Sequence, residues 1–186
     1  MENIPDEQLM LQFRDGNQAA FATLYQRHKG SLYRYFLRQL GAGNGAGNGG
    51  RVEELYQDVW YRVIDKRESY VTSAKFTTWL YHIAHHLVID EHRKRLSENA
   101  YASQLPDEPQ SNMNDAEARE KDAIKVCMDT LAPLQREAFL LRHEAGFEPA
   151  QICEIVDAKP EAVKTRLRYA MEQLRQCLTR KLGGRE

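Results

Sequence analysis

The sequence predicts an all-α protein built from two small helical domains. Apolar residues recur at intervals of three and four positions along most of the chain, as Ile83 and Leu87 do, which is the spacing of one helix face. No stretch alternates apolar and polar residues as a half-buried strand would. Residues 97–114 interrupt the pattern with Pro, Asn, Ser and acidic residues, a composition typical of a flexible acidic linker. We therefore assign residues 1–96 and 115–186 to the two domains.

Composition limits what such a protein can do. Its 186 residues, of which 42% are hydrophobic, can bury an ordinary core. The formal net charge is -1, so tight independent binding to nucleic acid is not expected, because phosphate contacts depend on accumulated Lys and Arg. A role in nucleic-acid binding must come from local basic patches or from help by a partner protein.

The cysteines and the N-terminus favour a cytoplasmic protein. Cys127, Cys153 and Cys177 are odd in number and widely spaced, without a CxxC pair, which argues against a disulfide framework and a structural zinc site. The first residues lack the basic start and apolar run of a signal peptide, and no apolar segment is long enough to cross a bilayer. We expect a reducing compartment and no membrane insertion.

In the N-terminal half, caps and breakers place the elements. Asn17 can cap the helix that starts QAAFATLY, and Thr77 or Thr78 can open the helix TWLYHIAHH. Between them the tract GAGNGAGNGG, residues 41–50, predicts a flexible loop. It lacks the GKS or GKT ending and the preceding strand of a phosphate-binding loop, so we interpret it as a connection.

The segment KFTTWLYHIAHHLVIDEHRKR, residues 75–95, combines histidines, aromatic residues and basic charge. His82, His86 and Asp90 repeat every four residues on one helix face, and two such histidines can chelate a metal ion. However, HExxH is absent, and no second cluster in the sequence offers ligands. We therefore predict no metal site and no cofactor, and interpret the segment as a nucleic-acid surface.

The C-terminal half has the layout of a helix-turn-helix, over PAQICEIVDAKPEAVKTRLRYAMEQLR. Gly146 is placed to end the preceding helix, Asp157 tolerates the left-handed conformation of the turn, and Pro160 suits the first turn of the second helix. The second helix would expose cations and short polar groups that suit phosphates and base edges. A solvated basic hairpin is the plainer alternative. The predicted buried residues are Ile152, Ile155, Val156, Val163, Leu167, Ala170 and Leu174.

The chain resembles the extracytoplasmic-function branch of the sigma-70 family of RNA polymerase sigma factors. Region 4 of that family is similar to LAPLQREAFLLRHEAGFEPAQICEIVDAKPEAVKTRLRYAMEQLR, and region 2.2 is similar to VEELYQDVWYRVID. Its pattern FxTWLYxIAxNxxIDxxR is similar to the 75–95 segment. With AAFATLYQRH, these motifs cover nearly the whole chain in the family's order. The resemblance implies a sigma factor, not an enzyme, that binds core RNA polymerase and promoter DNA and is held by an anti-sigma factor.

The resemblance also implies roles for individual residues. An acidic and aromatic face would bind core polymerase, aromatic and basic residues would hold an opened minus-10 element, and the recognition helix would read the minus-35 element. Trp79 suits the core equally well, and Tyr81 offers a further ring. The polymerase-binding residues would be Glu53, Glu54, Gln57, Asp58 and Trp60. The minus-10 residues would be Lys75, Phe76, Trp79, His82, His86, Arg93, Lys94 and Arg95. The minus-35 residues would be Lys159, Glu161, Lys164, Thr165, Arg166, Arg168 and Tyr169.

Two loops would assist the same reaction. The loop DKRESYVTSAKF is the expected place to hold a flipped base. The acidic linker, with Asp107, Glu108, Asp115 and Glu117, would thread toward the nucleic-acid channels of the polymerase.

Three features depart from the family pattern. His86 stands where the family has Asn, and Asp157, Ala158 and Lys159 stand where it has Gly-Ile-Ser, so the usual Ser cap is lost. The 41–50 tract is longer than the usual connection. Two other functions stay open: a regulator that binds duplex DNA without polymerase, and a metalloenzyme built on two histidines that would carry stoichiometric metal.

Overall fold

The computed structural model describes residues 3–40, 48–99 and 116–183, and in these ranges the chain forms α-helices, one short 3-10 helix and no strand. The prediction of an all-α fold is confirmed. The N-terminal unit consists of α1 (Asp6–Arg14), α2 (Gln18–Leu40), α3 (Asn48–Asp65), the 3-10 helix (Arg67–Ser69) and α4 (Phe76–Asn99). The C-terminal unit consists of α5 (Ala116–Asp129), α6 (Pro133–His143), α7 (Pro149–Val156) and α8 (Pro160–Leu182).

One of the two helix caps predicted in the N-terminal unit is present, and the other is not. Asn17 caps α2, since its Oδ1 accepts hydrogen bonds from the N–H groups of Ala19 and Ala20, at 3.1 and 3.4 Å. The prediction that Thr77 or Thr78 opens α4 is wrong. That helix begins at Phe76, whose N–H donates to Glu7 Oε1 at 2.9 Å. A carboxylate from α1 therefore replaces the local threonine cap.

The two predicted connections lie mostly outside the described residues. Within the 41–50 tract, Asn48–Gly50 already belong to α3, so the predicted loop is too long at its C-terminal end. Helix α4 continues through residue 99, past the predicted end of the first domain at residue 96. The rest of the 97–114 linker and the side chains of Asp107, Glu108, Asp115 and Glu117 lie outside the described residues.

The helix-turn-helix has the predicted local structure. Asp157 ends α7 with φ 49° and ψ 45°, and it is the non-glycine residue with positive φ in the described part of the chain. Pro160 begins α8, and Lys159 before it supplies no side-chain cap. Gly146, with φ +76°, turns the chain after α6. The predicted buried residues are buried, except Leu167, which is half-buried.

A disulfide in the C-terminal unit contradicts the expectation that the cysteines are not paired. Cys127 of α5 and Cys177 of α8 are bonded although they are 50 residues apart in sequence. Both lie in a small core between α5, α6 and α8, together with Leu131 and Leu174, while Cys153 is free. An odd count of widely spaced cysteines does not show which helices become neighbours, so the bridge was not predictable.

The two units pack directly against each other. One continuous hydrophobic core runs from residues of α1 to residues of α7 and α8, with α7 lying on α4 and α6 lying on α2. At the junction the ring of Tyr81 on α4 meets the ring of Phe147 before α7, with centroids 5.0 Å apart. The surfaces predicted to meet DNA are therefore held close together. Among the described helices, none has the length and apolar character needed to span a membrane.

Candidate nucleic-acid interface

An acidic face on α3 is exposed as its spacing predicts. Glu53, Glu54, Gln57 and Asp58 are exposed, and we call them the acidic face. On the opposite side the apolar residues Val52, Leu55, Val59 and Val63 are buried. The helix is therefore amphipathic, with carboxylates available for a basic partner surface.

Trp60 is not part of this exposed face, which corrects its predicted place. Its side chain is only 6% exposed and packs edge-on against Phe21 and Tyr25, with ring centroids 5.9 and 5.0 Å away. An indole next to the buried Val59 gains more from joining the core than from exposure. Trp60 therefore supports the position of α3 and is not exposed to a partner.

Two aromatic residues predicted to stack on DNA are also core residues. Phe76 has no exposed surface and Tyr81 is 3% exposed, because α4 is packed by α1, α2, α3 and α7 on several sides. Trp79 is half-buried, with its ring against Tyr70 and Phe76 at 5.2 and 6.1 Å. Among these three rings, only Trp79 retains a partly exposed face.

The basic residues of α4 divide into two groups. Lys75, Arg93 and Lys94 are exposed. Arg95, in contrast, donates to Glu91 Oε1 at 3.1 Å and to the Leu40 carbonyl at 3.4 Å.

The partner of Arg95 is held by a second arginine. Arg51 of α3 also donates to Glu91. Burial favours the neutral form of Glu91, but the hydrogen bonds from Arg51 and Arg95 outweigh it and lower the pKa of this carboxyl. Arg95 thus anchors α4 to its neighbours, and its role as a phosphate contact stays a prediction.

A buried polar cluster that sequence reasoning missed joins the two units. Glu137 of α6 is 2% exposed; its Oε1 accepts a hydrogen bond from the Tyr35 hydroxyl at 2.6 Å and lies 2.7 Å from His85 Nδ1. Burial, together with the neighbouring Glu137 carboxylate, raises the pKa of Tyr35 well above its usual value. No pattern in the sequence pairs these residues, because they come from three different helices.

The neighbouring Arg136 ties the same junction through backbone groups. Its guanidinium donates to the carbonyls of Met128, Asp129 and Leu131 within the C-terminal unit, and to that of Gln39 in α2 at 3.2 Å. Burial lowers the pKa of Arg136. The arginine therefore satisfies helix-end carbonyls on both sides of the junction.

The exposed histidines of α4 face the turn of the helix-turn-helix. His82 Nε2 lies 3.1 Å and His86 Nε2 lies 3.3 Å from Asp157 Oδ2, and the two ring nitrogens are 3.2 Å apart. Burial, followed by the nearby His82 and His85, lowers the pKa of His86. The sequence pointed to Asp90 as the third member of this group and to no ligands elsewhere. The structure instead adds Asp157, from a different element.

Helix α8 presents an exposed polar surface. Val163, Ala170 and Leu174 are buried on its inner side. The Arg168 guanidinium lies over the Tyr169 ring at 5.2 Å, a cation–π contact that preorganises the side chain. Of the residues predicted to meet DNA, Arg166 is half-buried and the others are exposed: Lys159, Glu161, Lys164, Thr165, Arg168 and Tyr169.

Comparison with sequence families accounts for both units. Residues 24–97 match the family Sigma-70 region 2, and residues 121–174 match the family Sigma-70, region 4. The two matches lie in the N-terminal and C-terminal units, respectively, and together span more than half of the chain.

Curated proteins are similar over nearly the full length. The ECF RNA polymerase sigma factor SigK of Mycobacterium sp. (strain KMS) is 29% identical over 177 residues, which cover 91% of this chain and 89% of SigK. The RNA polymerase sigma factor CarQ of Myxococcus xanthus is 28% identical over 171 residues, with 91% and 95% covered. The ECF RNA polymerase sigma factor SigW of Bacillus subtilis (strain 168) is 25% identical over 185 residues, with 90% and 93% covered.

Two solved structures share the fold. CnrH, in complex with the cytosolic domain of CnrY, matches with a TM-score of 0.69 and 21% identity, over 93% of this chain and 96% of CnrH. The sigma factor RpoE of Bartonella quintana, in complex with the anti-sigma factor NepR, matches with a TM-score of 0.67 and 20% identity, over 86% of this chain and 96% of RpoE.

Proposed function

The chain belongs to the extracytoplasmic-function branch of the sigma-70 family of RNA polymerase sigma factors, and on that premise we propose that its N-terminal unit binds core polymerase while both units read promoter DNA. The observation that carries the proposal is the pairing of an exposed acidic face on α3 with an exposed basic recognition helix, each within the matching family region. Sigma factors regulate transcription and are not enzymes by themselves, and we assign the protein to the cytoplasm, where polymerase acts.

The acidic face is the proposed docking surface for core polymerase. Glu53, Glu54, Gln57 and Asp58 form an exposed carboxylate-rich strip, which suits a basic helical surface on the polymerase. The formal net charge of -1 supports dependence on that partner, because a nearly neutral protein gains little affinity for DNA from its own charge.

The proposed minus-10 surface is narrower than the sequence indicated. It consists of the exposed or half-buried residues of α4 and the loop before it: Lys75, Trp79, His82, His86, Arg93 and Lys94. The partly exposed ring of Trp79 offers the largest aromatic face among these residues, and stacking on an unpaired base is worth about 1 to 3 kcal/mol. The exposed loop residues Val71 to Ser73 follow Tyr70, whose ring packs against Trp79, and are proposed to border a flipped base.

The proposed minus-35 surface consists of the exposed or half-buried residues of α8 and the residue before it: Lys159, Glu161, Lys164, Thr165, Arg166, Arg168 and Tyr169. Cations and short polar groups at the N-terminal end of a recognition helix suit both phosphates and base edges in a major groove. The acidic linker that follows α4 is proposed to thread toward the nucleic-acid channels of the polymerase.

The packed arrangement of the two units is proposed to be a resting form. The names of the two promoter elements place them about 25 base pairs apart, which is roughly 85 Å along B-DNA at about 3.4 Å per base pair. In the structure, His82 on one DNA-facing surface is 3.1 Å from Asp157 beside the other. The units must therefore separate before both elements are bound at once.

An anti-sigma partner is proposed to stabilise the free protein. RpoE was solved with the anti-sigma factor NepR, and its fold matches this chain. A partner that covers the acidic face of α3 would compete with polymerase for that surface.

Promoter selection with purified protein tests the proposed function. A library of fluorescent duplexes is incubated with the full chain, with and without core RNA polymerase, and the enriched sequences are then used as transcription templates. Sequence-specific binding and initiation that require core polymerase are the expected result. Selection of a duplex by the protein alone, with no effect of core, would instead identify a regulator that binds DNA by itself.

A further inference from the structure

The contact between α4 and the helix-turn-helix turn has the geometry of a metal site. His82 Nε2, His86 Nε2 and Asp157 Oδ2 form a triangle with sides of 3.1, 3.2 and 3.3 Å. All three atoms belong to side chains that are partly exposed. The triangle is thus open to solvent on one side and to an incoming ion.

These three sides match one face of a tetrahedral zinc site. Zinc binds imidazole nitrogen at about 2.0 to 2.1 Å and carboxylate oxygen at about 2.0 to 2.2 Å, so the ligand atoms of a tetrahedral site lie about 3.3 Å from each other. Two histidines four residues apart on one helix are a recurrent zinc-binding arrangement. With three protein ligands, water can complete the coordination, because the cluster is not enclosed.

Hydrogen bonds alone account poorly for the same cluster. Each Nε2 is either an N–H donor or a bare acceptor, and a carboxylate oxygen is an acceptor. Whichever Nε2 atoms carry a proton, at least one side of the triangle therefore joins two donors or two acceptors. In the triangle, each Nε2 lies within hydrogen-bonding distance of the other ring nitrogen and of the same carboxylate oxygen. A single cation at the centre would satisfy all three acceptors together.

The turn of the helix-turn-helix supplies the third ligand atom. Asp157 ends α7, and its Oδ2 lies 3.1 Å from His82 Nε2 and 3.3 Å from His86 Nε2. Asp157 holds a left-handed conformation, with φ 49°, that glycine adopts more readily. Aspartate tolerates this conformation, and here the turn places its carboxylate beside His82 and His86 of α4.

We propose that His82, His86 and Asp157 bind a divalent transition-metal ion, with zinc as the ion of first choice, and that this ion clasps the C-terminal unit to the N-terminal unit. Imidazole and carboxylate ligands suit zinc and its neighbours nickel and cobalt better than magnesium or calcium. The bound ion would keep the recognition turn on α4 and the two DNA-facing surfaces together. This consequence for promoter binding rests on the proposed function, whereas metal binding itself does not.

Zinc titration of the full chain tests the clasp directly. The wild-type protein, freed of metal by a chelator, competes with a chromogenic zinc indicator, and the stoichiometry and dissociation constant are measured. The variant Asp157→Asn keeps a side chain that tolerates the left-handed turn but removes the carboxylate. The matched controls are Asp90→Asn, the other candidate acid on α4, and His143→Asn, an exposed histidine of α6 away from the triangle.

One zinc ion per chain is the expected stoichiometry, with affinity reduced at least about tenfold by Asp157→Asn and unchanged by both control variants. The visible absorption of Co²⁺ in place of zinc should show tetrahedral coordination in the wild type and change in Asp157→Asn. Absence of stoichiometric binding would overturn the proposal. Loss of affinity in Asp90→Asn with normal affinity in Asp157→Asn would also overturn it, because the site would then lie on α4 alone.

Reconstituted transcription separates failure of the clasp from failure of the proposed function. Each protein is assayed with core polymerase over a zinc series, and its output is normalised to its own metal-free value. Zinc should inhibit the wild type at concentrations that fill the site, and Asp157→Asn should require at least about tenfold more zinc. Equal inhibition of both would overturn the clasp. If neither protein supports transcription at any zinc concentration, the proposed function fails while the titration still decides the metal site.

Discussion

Glu137 brings polar groups of the two units together at their junction. Its carboxylate is buried, and its partners Tyr35 and His85 both belong to the N-terminal unit. A buried carboxylate is stabilising only when its hydrogen-bonding capacity is met. This residue therefore makes the packed arrangement specific, since neither unit alone provides all three groups.

Replacing Glu137 should lower the free energy of unfolding, and the loss should be larger when no acceptor oxygen remains at this position. Glu137→Leu leaves the Tyr35 hydroxyl and His85 without their acceptor, and each buried unsatisfied group costs about 1 to 3 kcal/mol. We expect the free energy of unfolding in urea to fall by roughly 2 to 4 kcal/mol. Glu137→Gln, which retains an acceptor oxygen, should lose clearly less. Equal losses in the two variants would show that the hydrogen bonds do not matter.

Individual aromatic residues are where sequence reasoning failed most. Phe76, Trp60 and Tyr81 are buried, although each suits a binding surface by residue type. The same rings serve as core packing and as stacking platforms, and α4 carries apolar residues around much of its circumference. Whether such a ring is buried depends on the helices that pack over it, and those helices come from distant parts of the chain.

At the scale of elements, α3 and α8 carry the two proposed binding functions separately. The acidic face of α3 and the exposed cations of α8 are on different helices of different units. The periodicity of both helices predicted which side is buried, because a single apolar stripe leaves the opposite side to solvent. Binding to polymerase and binding to DNA should thus be separable by mutation.

Two single substitutions test that separation. Asp58→Ala should weaken binding to core polymerase, because it removes an exposed carboxylate from the docking surface. Lys164→Ala should weaken promoter binding by the assembled holoenzyme, by about 1 kcal/mol or more, while leaving affinity for core polymerase unchanged. Glu172→Ala, at an exposed position further along α8, serves as the control. If both variants impair both activities equally, the assignment of the two faces is wrong.

The bridge between α5 and α8 should contribute much of the stability of the C-terminal unit. A disulfide that closes a loop of 50 residues restricts the unfolded chain, which corresponds to about 4 kcal/mol in the loop-entropy account. Cys127→Ser, or reduction of the wild type, should lower the free energy of unfolding by about 3 to 4 kcal/mol. Cys153→Ser is the matched control and should change it little. An unfolding midpoint insensitive to reductant would contradict this expectation.

The order of helices and the helix-turn-helix followed from local sequence, whereas the bridge and the α4 cap did not. Apolar spacing, Asn17, Asp157 and Pro160 act within a few residues of their own helix, so they can be recognised in the sequence. The disulfide and the Glu7 contact to the α4 N-terminus join distant segments. No local pattern encodes such pairings.

At the scale of the whole molecule, the packing of one unit on the other is the main result that the sequence did not predict. The two halves carry separate family motifs and were expected to be joined by a flexible linker. A continuous core, the cluster around Glu137 and the His82–Asp157 contact hold them together. The apolar spacing within each half predicts which side of a helix is buried. It does not predict which helices of the two units pack against each other.

We propose that the free protein is closed and that polymerase opens it for promoter binding. The most direct measurement is fluorescence energy transfer between dyes placed by unnatural amino acids at Ser69 and Gln176, two exposed positions in different units. We predict efficient transfer in the free protein and a large loss of transfer on adding core polymerase and promoter DNA. Low transfer in the free protein, or transfer unchanged by polymerase and DNA, would contradict the claim.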